Sequence, residues 1–180
     1  MMKRSATIPL ATAVTLALVL PAFAGSIAHE DRMEMTAVTR APITPSHAIK
    51  IAEDGGGTAY GYGMESTRNG RNWYVVNVLR GGAKLAVRID PSTGKVLGSS
   101  AAKGEGAEGS NALEGSKLTF SEAIAQAERV GHGPALEANA AGHGSNAYVD
   151  VDVIKGKSIA HYRVSARGSQ IKTALTGTDS

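Results

Sequence analysis

The 180-residue chain contains no cysteine, which excludes a disulfide framework and any thiolate metal site. Aromatic residues make up 4%, and they do not interleave with a Lys/Arg-rich stretch, so the footprint of nucleic-acid binding is missing. The net charge of +3 falls to +1 without Lys3 and Arg4, too little to steer the chain toward a polyanion. Beyond residue 24 no apolar run approaches the roughly 20 residues of a membrane-spanning helix. Catalytic look-alikes lack their context. Gly104-Glu105-Gly106-Ala107-Glu108-Gly109 has dinucleotide-loop spacing, but no strand precedes it and its carboxylates would repel phosphate. Ser92-Thr93-Gly94-Lys95 reads as a turn rather than a helix start, and Gly142-His143-Gly144-Ser145 has no orienting acid. The expectation is a protein that is not an enzyme and needs no cofactor.

What is present begins with a leader. Lys3 and Arg4 precede an apolar run from Ile8 to Leu20, and Pro21-Ala22-Phe23-Ala24 follows. A charged start, a short apolar segment and a small-x-small site are the layout of a secretory signal peptide over 1–24. A periplasmic or secreted protein is expected, with no stable membrane anchor after cleavage. Residues 25–42 read as a disordered polar arm. His29, Met33 and Met35 there could capture copper weakly, since thioethers suit Cu(I), but no His-x-x-x-His pair supports a site.

The rest of the chain repeats. Ile43-Thr44-Pro45-Ser46-His47-Ala48-Ile49 aligns with Leu118-Thr119-Phe120-Ser121-Glu122-Ala123-Ile124 at an offset of 75, which reads as gap-free to the end of the unit. Each copy opens with a helix. Thr44 caps the first, with Pro45 at its first position, and Thr119 and Glu122 have capping-box spacing in the second. Ala48, Ile49 and Ala52 form one buried stripe, and Ala123, Ile124, Ala127 and Val130 the other.

Hairpins follow each helix. A turn at Gly81-Gly82 places Val78 opposite Leu85, Val76 opposite Val87 and Tyr74 opposite Ile89. A turn at Gly156-Lys157 places Val153 opposite Ala160, Val151 opposite Tyr162 and Val149 opposite Val164. One register hides both apolar sets, and a one-residue slip would expose them. Asp90-Pro91-Ser92-Thr93-Gly94 then turns the third strand of the first copy into a short fourth, Lys95 to Leu97, with residue types that suit a turn at each position.

The helix with its Ala-x-x-x-Ala stripe, the Tyr- and Val-rich hairpin and Val87-Arg88-Ile89-Asp90-Pro91-Ser92-Thr93-Gly94-Lys95-Val96-Leu97 together resemble a PepSY domain. The second copy resembles it through helix and hairpin but lacks the Asp-x-x-Thr-Gly turn. The resemblance implies an α+β protein of two tandem repeats, each one helix packed on a three- to four-stranded antiparallel sheet. The expected organisation is a PepSY-like domain over 43–98, a flexible Gly/Ala/Ser linker over 99–117, a second PepSY-like domain over 118–174 and a tail over 175–180. It also implies a non-catalytic module that binds, and inhibits or modulates, a peptidase or another envelope or secreted protein.

Two constellations face away from the expected core. Trp73, Val75 and Arg88 lie on the outer side of the first hairpin; cover from within the chain is the plainer expectation, and a protein-binding surface the functional one. On the second hairpin Asp150 falls opposite Arg163 and Asp152 opposite His161. Asp150, Asp152 and His161 are the ligands of the alternative reading, a periplasmic divalent-metal-binding or metal-sensing protein. Cross-strand charge pairs on a solvated face are the preferred explanation, because Arg163 would repel a metal.

Overall fold

The computed structural model describes residues 29–168 and 171–174; the expected leader and the 175–180 tail lie outside the described residues. Three helices, α1 (His29–Arg40), α2 (Pro45–Asp54) and α3 (Phe120–Gly131), accompany eight strands. The strands are β1 (Thr58–Ser66), β2 (Asn72–Arg80), β3 (Ala83–Ile89), β4 (Val96–Ala101), β5 (Ala135–Ala141), β6 (Tyr148–Lys155), β7 (Ser158–Ser165) and β8 (Ile171–Ala174). Both repeat helices begin as their sequences dictate. Thr44 accepts from the His47 N–H, and Thr119 and Glu122 form a reciprocal capping box, each satisfying donors that the first turn would leave open.

The hairpin registers are those the alternation demands. Val76 pairs with Val87 and Val78 with Leu85 in one half, and Val151 with Tyr162 and Val153 with Ala160 in the other. Val76, Val78, Val149, Val151, Val153 and Val164 are all fully buried. Helix α2 packs on β1 to β3, and α3 on β5 to β7. Small residues permit the close approach: a Cβ on Gly131 would stand 2.7 Å from Val153 Cγ1. The turn after β3 is an Asx-type turn, in which Asp90 Oδ1 accepts from the Ser92 and Thr93 N–H groups at 2.8 and 2.9 Å.

The two halves do not stand as separate sheets. They share one sheet of order β4-β3-β2-β1-β5-β6-β7-β8, and one apolar core runs through both halves. The seam is an antiparallel pairing of β1 with β5: Gly61 with Asn139, Tyr62 with Ala138 and Gly63 with Glu137. Tyr62 lies opposite a residue small enough to leave room for its ring.

Four expectations are corrected. Val130, read as part of the buried stripe of α3, is 47% exposed, and Gly131 takes the buried position one turn after Ala127. The segment read as a disordered arm contains α1, whose Met35 and Val38 are buried and which touches both β1 and β5 across the seam. Met35 is therefore spent on the core and is not available as a copper ligand, and the His29 side chain lies outside the described residues. The segment read as a flexible linker is held to the sheet. Strand β4 runs on to Ala101; beyond it, Tyr60 donates to Gly106 O, Lys84 Nζ to Ala107 O and Ser116 Oγ to Ala166 O, and Ala112 is buried. Finally, the 75-residue offset is not gap-free: Ala59 pairs with Val78 and Ala135 with Val153, so the first strands are offset by 76.

That extra residue preserves a contact. Glu53 Oε1 accepts from the Ala59 N–H and Glu128 Oε1 from the Ala135 N–H, each at 2.9 Å, tying the end of each helix to the first strand after it. Burial pushes the Glu128 carboxyl above its ordinary value, against the pull of the Ala135 N–H. An acid with a raised folded-state pKa favours folding only while protonated, so its ionisation costs stability as pH rises from the unfolded value through the folded one. Glu128→Gln keeps the acceptor and removes the charge. The variant is expected to match or exceed the parent's melting temperature at pH 7 and to lose that advantage near pH 4, as thermal unfolding followed by circular dichroism would show.

Candidate functional site

On the sheet face opposite the valines, β2 presents Trp73, Val75 and Asn77, and β3 presents Ala86 and Arg88. Glu65 on β1 lies directly across from Trp73. The Trp73 Nε1–H donates to Glu65 Oε2 at 2.6 Å, and the Arg88 guanidinium lies 5.4 Å from the centre of the indole ring. Trp73 and Val75 are half-buried and Arg88 is exposed. The indole is thus covered partly by two charged neighbours on its own face, an arrangement that fixes its rotamer and leaves part of its surface to solvent. A cation over an exposed indole contributes roughly 0.5–1 kcal/mol.

The second half repeats this geometry. The Arg163 guanidinium stacks 3.9 Å from the Tyr148 ring centre and donates through Nε and an Nη to both oxygens of Asp150, at 2.7 and 2.8 Å. Trp73 and Tyr148 are 75 residues apart, as are Arg88 and Arg163. Asp150 strengthens the hold of Arg163 on its proton. Both members are about half exposed, so the pair contributes roughly 0.2–1 kcal/mol.

Asp152 meets His161 through Nδ1. Burial holds the Asp152 carboxyl above its ordinary range, outweighing the favourable pull of His161. These residues line a shallow cavity of about 350 Å³ with Glu137, Asn139 and Arg163. The three ligands of the metal reading are thus divided into two pairs, Asp150 with Arg163 and Asp152 with His161. Among the described residues no group of three or more His, Asp or Glu side chains could hold a metal ion.

Sequence reasoning missed Glu65 and Tyr148. Tyr148 was available from the 75-residue offset, which lays it on Trp73. Glu65 was not, because its register is set by the closure of the 67–71 turn, where the Thr67 N–H donates to Arg71 O.

No helix among the described residues is long and apolar enough to cross a membrane. No curated protein matches the chain. A crystal structure of a "putative lipoprotein" from Clostridium difficile 630 is similar at 16% identity and a TM-score of 0.43, covering 78% of this chain and 99% of that one. Residues 42–99, which run from just before α2 into β4 and include Trp73, Val75 and Arg88, match the family model described as peptidase propeptide and YPEB domain. Residues 42–99 are thus similar to a PepSY domain, a domain family that is generally non-catalytic.

Proposed function

We propose that this chain is exported by its N-terminal leader and binds a peptidase or another envelope or secreted protein, inhibiting or modulating it, through the face that carries Trp73, Val75 and Arg88. The observation that carries the reading is the coincidence of that face with the PepSY match. The half-buried Trp73, oriented by Glu65 and Arg88, lies inside residues 42–99. Trp and Arg are the residue types that most often anchor protein interfaces. The second half, with its acidic pairs, belongs to the same sheet and is read as a degenerate copy of the module. The metal-binding alternative is not carried further, since no geometry here favours it.

Purified protein without residues 1–24 is expected to change the activity of an envelope or secreted peptidase at micromolar concentration. Trp73→Ala and Arg88→Glu, checked for an unchanged melting curve, are expected to weaken that effect by about tenfold or more. Inhibition that survives both substitutions undiminished would remove this face from the reading. A complete lack of effect on such peptidases, with no complex formed with any of them, would remove the reading itself.

A further inference from the structure

The two outermost described strands of the sheet differ. At one end β8 is four residues long and carries Lys172. At the other, β4 is six residues long, Val-Leu-Gly-Ser-Ser-Ala, and is exposed along its whole length. Val96 and Leu97, 47% and 51% exposed, are two of the three large apolar side chains exposed among the described residues. Native edges are commonly blunted by charge, by proline or by brevity. Within β4 there is no charge and no proline, and β3 is the one described strand that pairs with it. A bulge at Leu97 interrupts the ladder, Val96 pairing with Ile89 and Gly98 with Arg88; beyond it the far side of residues 98–101 offers alternating N–H and C=O groups, with Val96 and Leu97 exposed at its start, the template that strand addition uses.

Charge says what would fit there. Lys95 and Lys103 flank the strand, and Arg88 pairs with Gly98 from the neighbouring strand. Residues 91–103 contain no acid. The nearest, Asp90, is occupied by the N–H groups of its own turn. More widely, residues 42–103 hold eight Lys and Arg against four Asp and Glu, whereas 104–174 hold seven against eight. A second copy is a poor occupant. Twofold antiparallel pairing of β4 with itself would bring the Lys95 end of each strand against the Lys103 end of the other.

The geometry points to the β4 edge as a strand-addition site for an extended acidic segment of the partner polypeptide. This rests on the reading that the first half engages a protein, and it names the edge and the chemistry of the segment. Backbone pairing supplies the fit along β4, Val96 and Leu97 gain cover, and Lys95 and Lys103 select negative charge at either end.

The test uses a fluorescent peptide about ten residues long, long enough to span a typical strand, alternating Val and Glu. Its counterparts carry Lys for Glu, or N-methyl groups at successive residues, which block both strand edges but keep the charge. The acidic peptide is expected to bind saturably at low salt. The N-methylated and Lys peptides are expected to bind at least about tenfold more weakly, as is the acidic peptide to the Lys95→Glu/Lys103→Glu variant, its fold checked by circular dichroism. No binding, or equal binding of the N-methylated peptide, would overturn the assignment. So would a dimer in sedimentation that the charge reversal strengthens or that blocks the peptide. If the peptide fails while Trp73→Ala still relieves peptidase inhibition, the edge assignment falls and the proposed function stands. If the peptide binds as expected and no peptidase responds, the edge is supported and that function falls.

Discussion

Tyr62→Ala is expected to lower the free energy of unfolding by about 3–5 kcal/mol, the usual loss for a large buried ring, and to do so for both halves of the sheet together. Tyr62 is 2% exposed and lies between Val76 on β2 and Ala138 on β5. Its ring centre is 5.6 Å from that of Tyr74, and its hydroxyl donates across the seam to Ala135 O at 3.3 Å. Burial raises the pKa of that hydroxyl well above its ordinary value, so it remains a donor throughout the accessible pH range. Because the seam has three paired positions centred on this residue, the cavity would open where the two halves are joined. Trp73, the one tryptophan, reports on the first half by fluorescence, and far-UV circular dichroism reports on both. Coincident transitions, shifted alike, are expected in the parent and the variant. A tryptophan transition that moves ahead of the dichroism would mean that the halves unfold separately. Tyr62→Phe removes only the hydroxyl and should cost about 0.5–1.5 kcal/mol.

How much of this was legible depends on whether a feature is local. The hairpins β2–β3 and β6–β7 could be read residue by residue, because valines at every second position tolerate one register and Gly81-Gly82 supplies the turn. The caps at Thr44 and Thr119 were equally local. The seam was not. Strands β1 and β5 read TAYGYGMES and ALEANAA, rich in glycine and alanine, and nothing in either names the other as its neighbour. Helix α1 escaped notice because only Met35 and Val38 among its polar residues become buried, too short a stripe to stand out from a polar arm. The outer face was legible in outline. Alternation placed Trp73, Val75 and Arg88 together and paired Asp150 with Arg163. The Glu65 contact depends on how the 67–71 turn closes, and the docking of residues 104–112 depends on backbone carbonyls, for which composition carries no signal.

The last of these gives the second large effect. A Cβ on Gly109 would stand 1.9 Å from the carbonyl oxygen of Ala140, on β5, and Gly109 has φ of +72°. Alanine there meets both a strained backbone and a fixed atom that cannot turn aside, so Gly109→Ala is expected to cost about 2–4 kcal/mol. Gly104 is the internal control. Its φ is +57°, but no atom lies within 4 Å of the position a Cβ would take, so Gly104→Ala carries the backbone term alone, about 1 kcal/mol. The difference between the two variants measures the docking of the segment on the sheet, since the chain can relieve the overlap at Gly109 only by lifting away. The loss is therefore capped by the free energy of undocking, and faster amide exchange should appear from about residue 104 to 112 before it appears in β5. Equal, small losses for both variants would show that the segment is not held against Ala140. A larger loss at Gly109 would establish that the stretch between the two halves is part of the sheet's packing, and that they are joined on this side as well as at Tyr62.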